Sequence, residues 1–418
     1  MYSPEDNPFL TETFTRIWSQ HFSPTRPPVP VNALPGLTQV AHPRLPLMQS
    51  TGTTHTKGMC HGPVPENAEL SVSKPVLVYD VPEFFNVPLP DSGHSQIGVK
   101  RVRQYPGFLI ELTGLQDLNA YLQRQFSKSS RYKLKKYRTR LETAFDIRYV
   151  MYDGSVDETQ YALLFDQFRA LLEKRFDDKQ VSNNNLEQQE WEFYKASTLP
   201  LMQEGRAGLF VVYSGDDPIA VTLNYFFNRT VLDAITVFDI DYGKFHLGSV
   251  SVMALIEWCL ENNMDVLDFS KGYFDYKSRW ATRQYDFEYR VYYPKGSFPG
   301  RLLARLTSGY FRGKQWLREK GWNDRLHKLT YALSSRKGSM PKVAFEWLDS
   351  EGADRPEVLQ ALTKVEGLYM AVLPAVFEFL YLEQESMADI RVLPLANQPE
   401  KFLIQGKKNS KVFRLIRK

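Results

Sequence analysis

Apolar residues recur in this chain with two different periods, and each period predicts a different kind of element. Short apolar runs separated by turn residues predict a three-stranded antiparallel meander over residues 209–213, 218–227 and 231–238. Helical spacing follows over 249–261, and a strand at 265–270 comes next. A final strand at 285–293 completes a unit that is typical of an α/β domain.

Further helices and strands are predicted on both sides of the meander. A helix that carries Leu118 leads into a second helix, which begins at a cap formed by Ser127 or Ser129 and ends near residue 144. The other predicted elements are strands at 76–81, 107–112 and 145–151, and helices at 158–175, 186–203, 297–333 and 356–382. A basic tail follows the last helix.

Length and composition limit the class of protein. The chain has 418 residues, 43% of them hydrophobic and 14% aromatic, which is enough for two or three domains with a sizeable core. The net charge of +4 is modest, and two distant cysteines exclude a disulfide framework. The N-terminus lacks an apolar signal segment, and the stretch 368–382 is too short to cross a membrane. We therefore expect a soluble, cytoplasmic protein without a transmembrane segment.

A glycine-containing turn lies between the last strand of the meander and the following helix. Strand, turn, helix and strand in this order present free backbone N–H groups to an anion at the start of the helix. We expect the N–H groups of Gly248, Ser249 and Val250 to bind phosphate, and Lys244 and His246 to contribute from the turn. The alternative is an ordinary helix start with Ser249 as its cap, and an incidental histidine.

Five sequence motifs together resemble the GNAT acyltransferase superfamily. They are SSRYKLKKY at 129–137, FDIDY at 238–242, LGS at 247–249, LDF at 267–269 and G-x-x-x-Y-K-x-x-W at 272–280. Their span, 107–293, is similar to the acetyltransferase branch of cellulose and exopolysaccharide biosynthesis, with the Fem-type aminoacyltransferases as structural cousins. The chain departs from the superfamily's Q/R-x-x-G-x-G/A signature, since Lys244 or Phe245 stands near the first position and Val250 near the last.

The resemblance implies an α/β GNAT-like acyl-CoA acyltransferase fold with a mixed, largely antiparallel sheet. It implies a tandem arrangement in which residues 1–125 form a degenerate N-terminal copy and 126–300 form the acyltransferase domain, followed by a basic helical C-terminal extension over 301–418. The co-substrate would be acyl-CoA, with acetyl-CoA first, and no metal would be needed. The acceptor would be a small amine or an amino sugar that attacks directly in a ternary complex.

Acyl transfer requires a proton donor for the leaving thiolate and groups that orient the amine. Tyr273 and Tyr276 are candidate donors, although tyrosines also pack readily. Asp268 lies inside an apolar strand, where a bare carboxylate is costly. It would either orient the loop or the amine at the site, or bond a neighbouring backbone N–H. Lys277 and Arg279 would hold an anionic part of a substrate, or they lie on a solvated loop.

The segment 128–140 carries seven cations and no acidic residue. On a helix, Leu134, Tyr137 and Leu141 would form a narrow buried stripe. The segment would then be either a solvated helix or the contact for an acidic partner: CoA phosphate, tRNA or an anionic lipid surface. Two other functions therefore stay open, aminoacyl transfer from charged tRNA and a non-catalytic binding module. The histidines and cysteine at 55, 60 and 61 are too few to predict zinc.

Overall fold

The computed structural model describes residues 6–62, 64, 72–85, 96–179, 186–320, 344–348, 362, 367–396 and 398–416. The helices are α1 (Glu12–Phe22), α2 (Leu118–Gln125), α3 (Lys128–Ala144), α4 (Glu158–Lys179), α5 (Gln188–Gln203), α6 (Leu247–Glu261), α7 (Asp275–Trp280), α8 (Phe298–Glu319) and α9 (Gly367–Glu383). The strands are β1 (Val29–Pro30), β2 (Thr38–Ala41), β3 (Met48–Ser50), β4 (Val76–Pro82), β5 (Ile97–Glu111), β6 (Ile147–Tyr152), β7 (Ala207–Ser214), β8 (Asp217–Phe227), β9 (Thr230–Phe238), β10 (Val266–Lys271), β11 (Arg283–Pro294), β12 (Ala344–Leu348), β13 (Arg391–Leu395), β14 (Gln398–Gln405) and β15 (Ser410–Ile416).

Eleven of these strands form one large mixed sheet in the order β1-β2-β3-β4-β11-β5-β10-β9-β8-β7-β6. The predicted meander is confirmed as β7, β8 and β9, which pair antiparallel along their lengths. Two neighbouring pairs are parallel, β3 with β4 and β9 with β10. The α/β fold with a mixed, largely antiparallel sheet, as the resemblance implied, is confirmed.

Strand β5 lies between β10 and β11, although its residues precede both by more than 150 positions. The sequence predicted this strand only over 107–112. It begins at Ile97 because β11 pairs along its whole length, from Arg283↔Leu109 to Pro294↔Ile97. The predicted segments 1–125 and 126–300 therefore share one sheet, with a strand of the first segment placed between two strands of the second.

Apolar clusters cover both faces of the sheet. One cluster contains buried residues of α1, α4 and α5, and the other contains those of α2, α3, α6 and α9. A second sheet, in the order β12-β15-β14-β13, adds its buried residues to the cluster of α9. The predicted C-terminal helix is thus present over 367–383, whereas the predicted basic tail forms strands β14 and β15. The predictions for 321–333 and 356–361 lie outside the described residues.

The parallel strands β9 and β10 pair only over a short distance. Thr230–Leu232 pair with Val266–Asp268, and β9 then continues alongside β8 as far as Phe238↔Ala220. After Asp268, β10 pairs with β5 only at Lys271↔Gly107, across an irregularity in register. The two strands therefore part at their carboxyl ends, in the interior of the sheet, which is where open α/β sheets commonly bind ligands.

Candidate active site

Six buried or half-buried ionisable side chains, here called the buried polar cluster, lie around the point where β9 and β10 part. They are three carboxylates and three lysines: Asp80, Asp233, Asp268, Lys57, Lys271 and Lys277. Their formal charges cancel, but removing six charges from water is costly unless they are closely paired. Ionisable groups concentrated at such cost inside a protein are characteristic of functional sites.

Asp268 occupies β10 and is 2% exposed. Its carboxylate accepts hydrogen bonds from the Tyr285 hydroxyl at 2.6 Å and from the Ser270 backbone N–H at 2.7 Å. Burial raises the pKa of Asp268 from 3.8 to about 7, and these two hydrogen bonds limit the rise. Of the two roles considered for Asp268, the structure shows the bond to a neighbouring backbone N–H, and this bond fixes the end of β10.

Lys277 is enclosed by the backbone of the same turn. Its ammonium group donates to the carbonyls of Phe269 at 2.6 Å and Lys271 at 2.9 Å, with a longer bond of 3.5 Å to Ser270. Burial lowers its pKa from 10.5 to about 8, while Asp233 and Asp268 oppose that change. The predicted solvated loop is therefore not the environment of Lys277. Its three hydrogens are directed at carbonyls, so it positions the turn.

The turn that Lys277 holds has an unusual backbone. Ser270 has φ of 59° and Gly272 has φ of 134°, and the first of these is rare for a residue with a side chain. Backbone strain of this kind persists only where the surrounding structure stabilises it. The bonds from Lys277 and Asp268 supply that stabilisation.

Four members of the buried polar cluster were not predicted from the sequence: Asp80, Asp233, Lys57 and Lys271. Asp80, on β4, forms an ion pair with Lys271 and accepts from Gln104 Nε2 at 2.8 Å. Burial lowers the pKa of nearby Lys57 to about 8, and Lys271 adds to the effect. Asp80 itself has φ of 55°.

One sequence signal could have identified two of the missed residues. Asp80 and Asp233 each interrupt an apolar run, as Asp268 does, and a carboxylate inside a buried strand is costly wherever it occurs. No comparable signal marks Lys57 or Lys271, whose positions depend on folding.

The two predicted tyrosines lie in different surroundings. Tyr276 is near Arg175 and Asp233, and burial raises its pKa, with a further rise from Asp233. Tyr273 is 53% exposed and its hydroxyl accepts from Gln315 Nε2, on α8, at 2.9 Å. The structure therefore brings Tyr276 to the buried polar cluster and directs Tyr273 toward α8.

The predicted phosphate-binding helix begins two residues earlier than expected, at Leu247. Consequently the N–H groups of Ser249 and Val250 already donate to the His246 carbonyl, at 2.8 and 3.2 Å. Val250 is also fully buried. Leu247 is equally buried, so at this helix start the N–H group of half-buried Gly248 and the Ser249 side chain are the groups that a ligand can reach.

Gly248 has a packing reason to be glycine. A Cβ there would lie 2.7 Å from Cε1 of Phe238, at the end of β9. The Phe238 ring occupies the space that a side chain at position 248 would need. Arg175 lies over the same ring, with its Cζ 4.1 Å from the centroid.

The remaining predicted binding residues surround the helix start. His246 stacks on Tyr137 of α3 with 3.7 Å between ring centroids, and burial and then Arg279 lower its pKa. Arg279 is exposed on α7. Lys244 forms an ion pair with Glu378 of α9, so its charge is already balanced within the chain. The helix start thus lies between α3, α7 and α9.

Helix α3 has the predicted buried stripe and a basic outer surface. Leu134 and Leu141 are fully buried, and Tyr137 stacks on the histidine described above. In the described part of the chain, four lysines of this helix form no ion pair: Lys128, Lys133, Lys135 and Lys136. Three of them line a shallow concavity with Ser127, Ser129 and Tyr132 at the start of the helix.

The described residues contain no group of histidine, cysteine and acidic side chains that could hold a metal ion. His55 instead accepts from Trp18 Nε1 at 2.9 Å and pairs with Glu190 at 2.7 Å. None of the described helices is long and apolar enough to cross a membrane.

Comparison with known families identifies the central part of the chain. Residues 128–278 match the family model for the acetyltransferase (GNAT) domain. These residues are similar to a GNAT domain. This domain supports a transferase, and it covers α3 to α7 with most of the buried polar cluster. No curated protein is significantly similar to the chain in sequence.

Solved structures resemble the chain at low identity. FemX is 11% identical, with 61% of this chain and 83% of that chain covered and a TM-score of 0.43. L-PGS from Bacillus licheniformis is 10% identical, with 72% and 97% covered and a TM-score of 0.42. A conserved protein of unknown function from Bacteroides thetaiotaomicron is 11% identical, with 68% and 91% covered and a TM-score of 0.44.

Proposed function

We propose that this protein transfers an acyl group from acyl-CoA to an amine. The observation that carries the proposal is the buried polar cluster at the opening between β9 and β10, with the start of α6 on the adjoining side. The opening offers a reaction centre, and the helix start offers an anion site for the phosphates of a donor. The match of residues 128–278 to a GNAT domain supports the same reaction class.

The donor would lie between the helix start and the parted strands. Its diphosphate would accept bonds from the Gly248 N–H and from the Ser249 hydroxyl, and exposed Arg279 would add positive charge. Beyond Leu232 no pairing joins β9 to β10 in the described structure, so backbone groups of the parted strands can bond the amide arm of CoA. The thioester would then reach the buried polar cluster.

The reaction would proceed by direct attack of the amine. The amine nitrogen forms a bond to the thioester carbonyl carbon, the carbon–sulfur bond breaks, the amine loses a proton and the thiolate gains one. A tyrosine hydroxyl carries its proton near neutral pH, so Tyr276, which lies near Asp233, is the proposed donor to the thiolate. Burial raises the pKa of Cys60 to about 11 and also that of Cys259, which makes neither thiol a nucleophile.

The donor would be acetyl-CoA first, and the acceptor an amino sugar or a related cell-surface precursor in the cytoplasm. The resemblance to the exopolysaccharide acetyltransferases supports this choice of acceptor. A second candidate is aminoacyl transfer from charged tRNA. The lysines of α3 that lack ion pairs favour it, because an uncompensated basic helix is suited to a nucleic acid backbone.

Calorimetric titration with acetyl-CoA tests the donor site. Ser249→Glu places a carboxylate beside the diphosphate, whereas Ser249→Gln has nearly the same size without the charge. Glutamate is favourable in a first helical turn, so the variant should fold. We expect Ser249→Glu to weaken binding at least tenfold, about 1.4 kcal/mol, and Ser249→Gln to bind nearly as the wild type does.

Turnover separates binding from chemistry. Tyr276→Phe should lower kcat about a hundredfold with amino-sugar acceptors while acetyl-CoA still binds, and Tyr273→Phe is the matched control. Absence of heat with any acyl-CoA would refute this donor. A steep decrease of charged-tRNA binding with salt, reduced by replacing Lys133, Lys135 and Lys136 with glutamine, would then support the second candidate.

A further inference from the structure

Helix α8 has a second apolar face, in addition to the face that packs on the sheet. Its inner side buries Ala304, Thr307 and Phe311 against β5 and β11. Its outer side exposes six large apolar side chains: Phe298 (69%), Leu302 (46%), Leu306 (63%), Tyr310 (64%), Trp316 (57%) and Leu317 (45%). Contiguous exposed apolar surface of this kind usually marks a binding face.

The outer residues follow helical geometry. At about 100° per residue they fall within an arc of roughly 120°, together with Gly309 and Gly313. Twenty-two residues make the helix about 33 Å long, so the apolar arc is a continuous strip. Tryptophan and tyrosine within it are the residues that favour the boundary between water and lipid.

Positive charge borders the strip. Arg301, Arg305 and Arg312 are all exposed and fall on one edge of the arc. These three arginines form no ion pair with any described residue. Between Phe298 and Lys320 the only acidic residue is Glu319, at the end of the helix. A second copy of this chain on the same strip would bring like charges together, which disfavours self-association.

We propose that α8 binds the surface of a lipid bilayer that contains anionic lipids. The apolar strip enters the boundary between headgroups and acyl chains, and the three arginines contact the anionic headgroups. The helix lies in the plane of the surface and does not span the bilayer.

Vesicle sedimentation tests the proposal with the full chain. The probes are vesicles of phosphatidylcholine alone and of equimolar phosphatidylcholine and phosphatidylglycerol. We expect binding to the anionic vesicles, weakened about tenfold per residue by Leu302→Ser and Leu306→Ser. Replacing Arg301, Arg305 and Arg312 with glutamine should weaken it on the order of a hundredfold in total. Binding equal on both vesicle types, or unchanged in these variants, would overturn the proposal.

Two matched controls separate α8 from other surfaces. Leu163→Ser, on α4, changes an apolar side chain that is 58% exposed and should leave vesicle binding unchanged. The second control replaces Lys133, Lys135 and Lys136 of α3 with glutamine. Loss of vesicle binding in that variant alone would assign the membrane contact to α3 and refute the role of α8. This outcome is independent of acyl-CoA binding, so failure here leaves the proposed function in place.

Fluorescence locates the helix in the bilayer. Vesicles with brominated acyl chains should quench the emission of Trp316, measured as the difference between the wild type and Trp316→Phe. Absence of quenching in protein that binds vesicles would overturn insertion of the strip. If the protein fails to bind vesicles and is a dimer in sedimentation velocity, the proposal is refuted. A second copy of the chain would then be the partner of α8.

Discussion

Replacing Lys277 with methionine removes one cation from the buried polar cluster and keeps an unbranched side chain of similar length. The lost bonds to the Phe269 and Lys271 carbonyls are charged hydrogen bonds, worth about 1.5–3 kcal/mol each. Against this loss, lowering a pKa from 10.5 to about 8 means that burial of the charge costs on the order of 3 kcal/mol, which the variant avoids. The two effects largely offset each other near neutral pH, so the dependence on pH is the informative quantity.

The sign of that dependence follows from the lowered pKa. Between pH 8 and 10.5 the unfolded state holds a proton on Lys277 that the folded state has released, so the free energy of unfolding rises with pH. The slope is at most about 1.4 kcal/mol per pH unit. The cost of the buried charge is therefore complete below pH 8 and disappears toward pH 10.5.

Urea unfolding followed by circular dichroism measures the effect. The wild type should gain about 2 kcal/mol relative to Lys277→Met between pH 8 and pH 10. The difference between the two proteins cancels the titration of the buried tyrosines, whereas the pKa of Lys57 rises in the variant because the Lys277 charge lowers it in the wild type. Arg279→Met, two residues along α7 and exposed, should show no such change. A gap between wild type and Lys277→Met that stays constant within about 0.5 kcal/mol would refute the buried cation.

Two further predictions concern the strands that part at the site. Burial raises the pKa of Asp268 to about 7, so the folded state binds a proton that the unfolded state lacks between pH 3.8 and 7. As the pH rises from 3.8 to 7, the free energy of unfolding of the wild type should fall by about 4 kcal/mol relative to that of Asp268→Asn. Urea unfolding measures this change, and a constant difference between the two proteins would contradict the raised pKa. Gly248→Ala should destabilise by about 1–3 kcal/mol in the same assay, because its Cβ meets the Phe238 ring. Gly243→Ala enters open space and should be nearly neutral, so equal effects would refute the packing explanation.

The local elements were predictable because their signals are local. Turn residues and apolar periodicity located β7, β8 and β9 closely, and Ser127 does cap α3, accepting from the Ser130 N–H at 3.3 Å. Residue types alone also predicted the basic surface of α3 and the unfavourable free energy of burying the Asp268 carboxylate in an apolar strand. Each of these depends on neighbours a few positions away, which the linear pattern records.

The sequence by itself determined the order of the elements, the GNAT-like motifs and the candidate residues near Gly248 and Tyr276. Only the tertiary structure decided that β5 separates β10 from β11, and hence that Asp80 reaches Lys271. It also decided that the Lys277 ammonium group donates to backbone carbonyls of the turn after β10. The physical reason is that charge burial and strand pairing depend on contacts between segments far apart in the chain, and no local period encodes which of those segments meet.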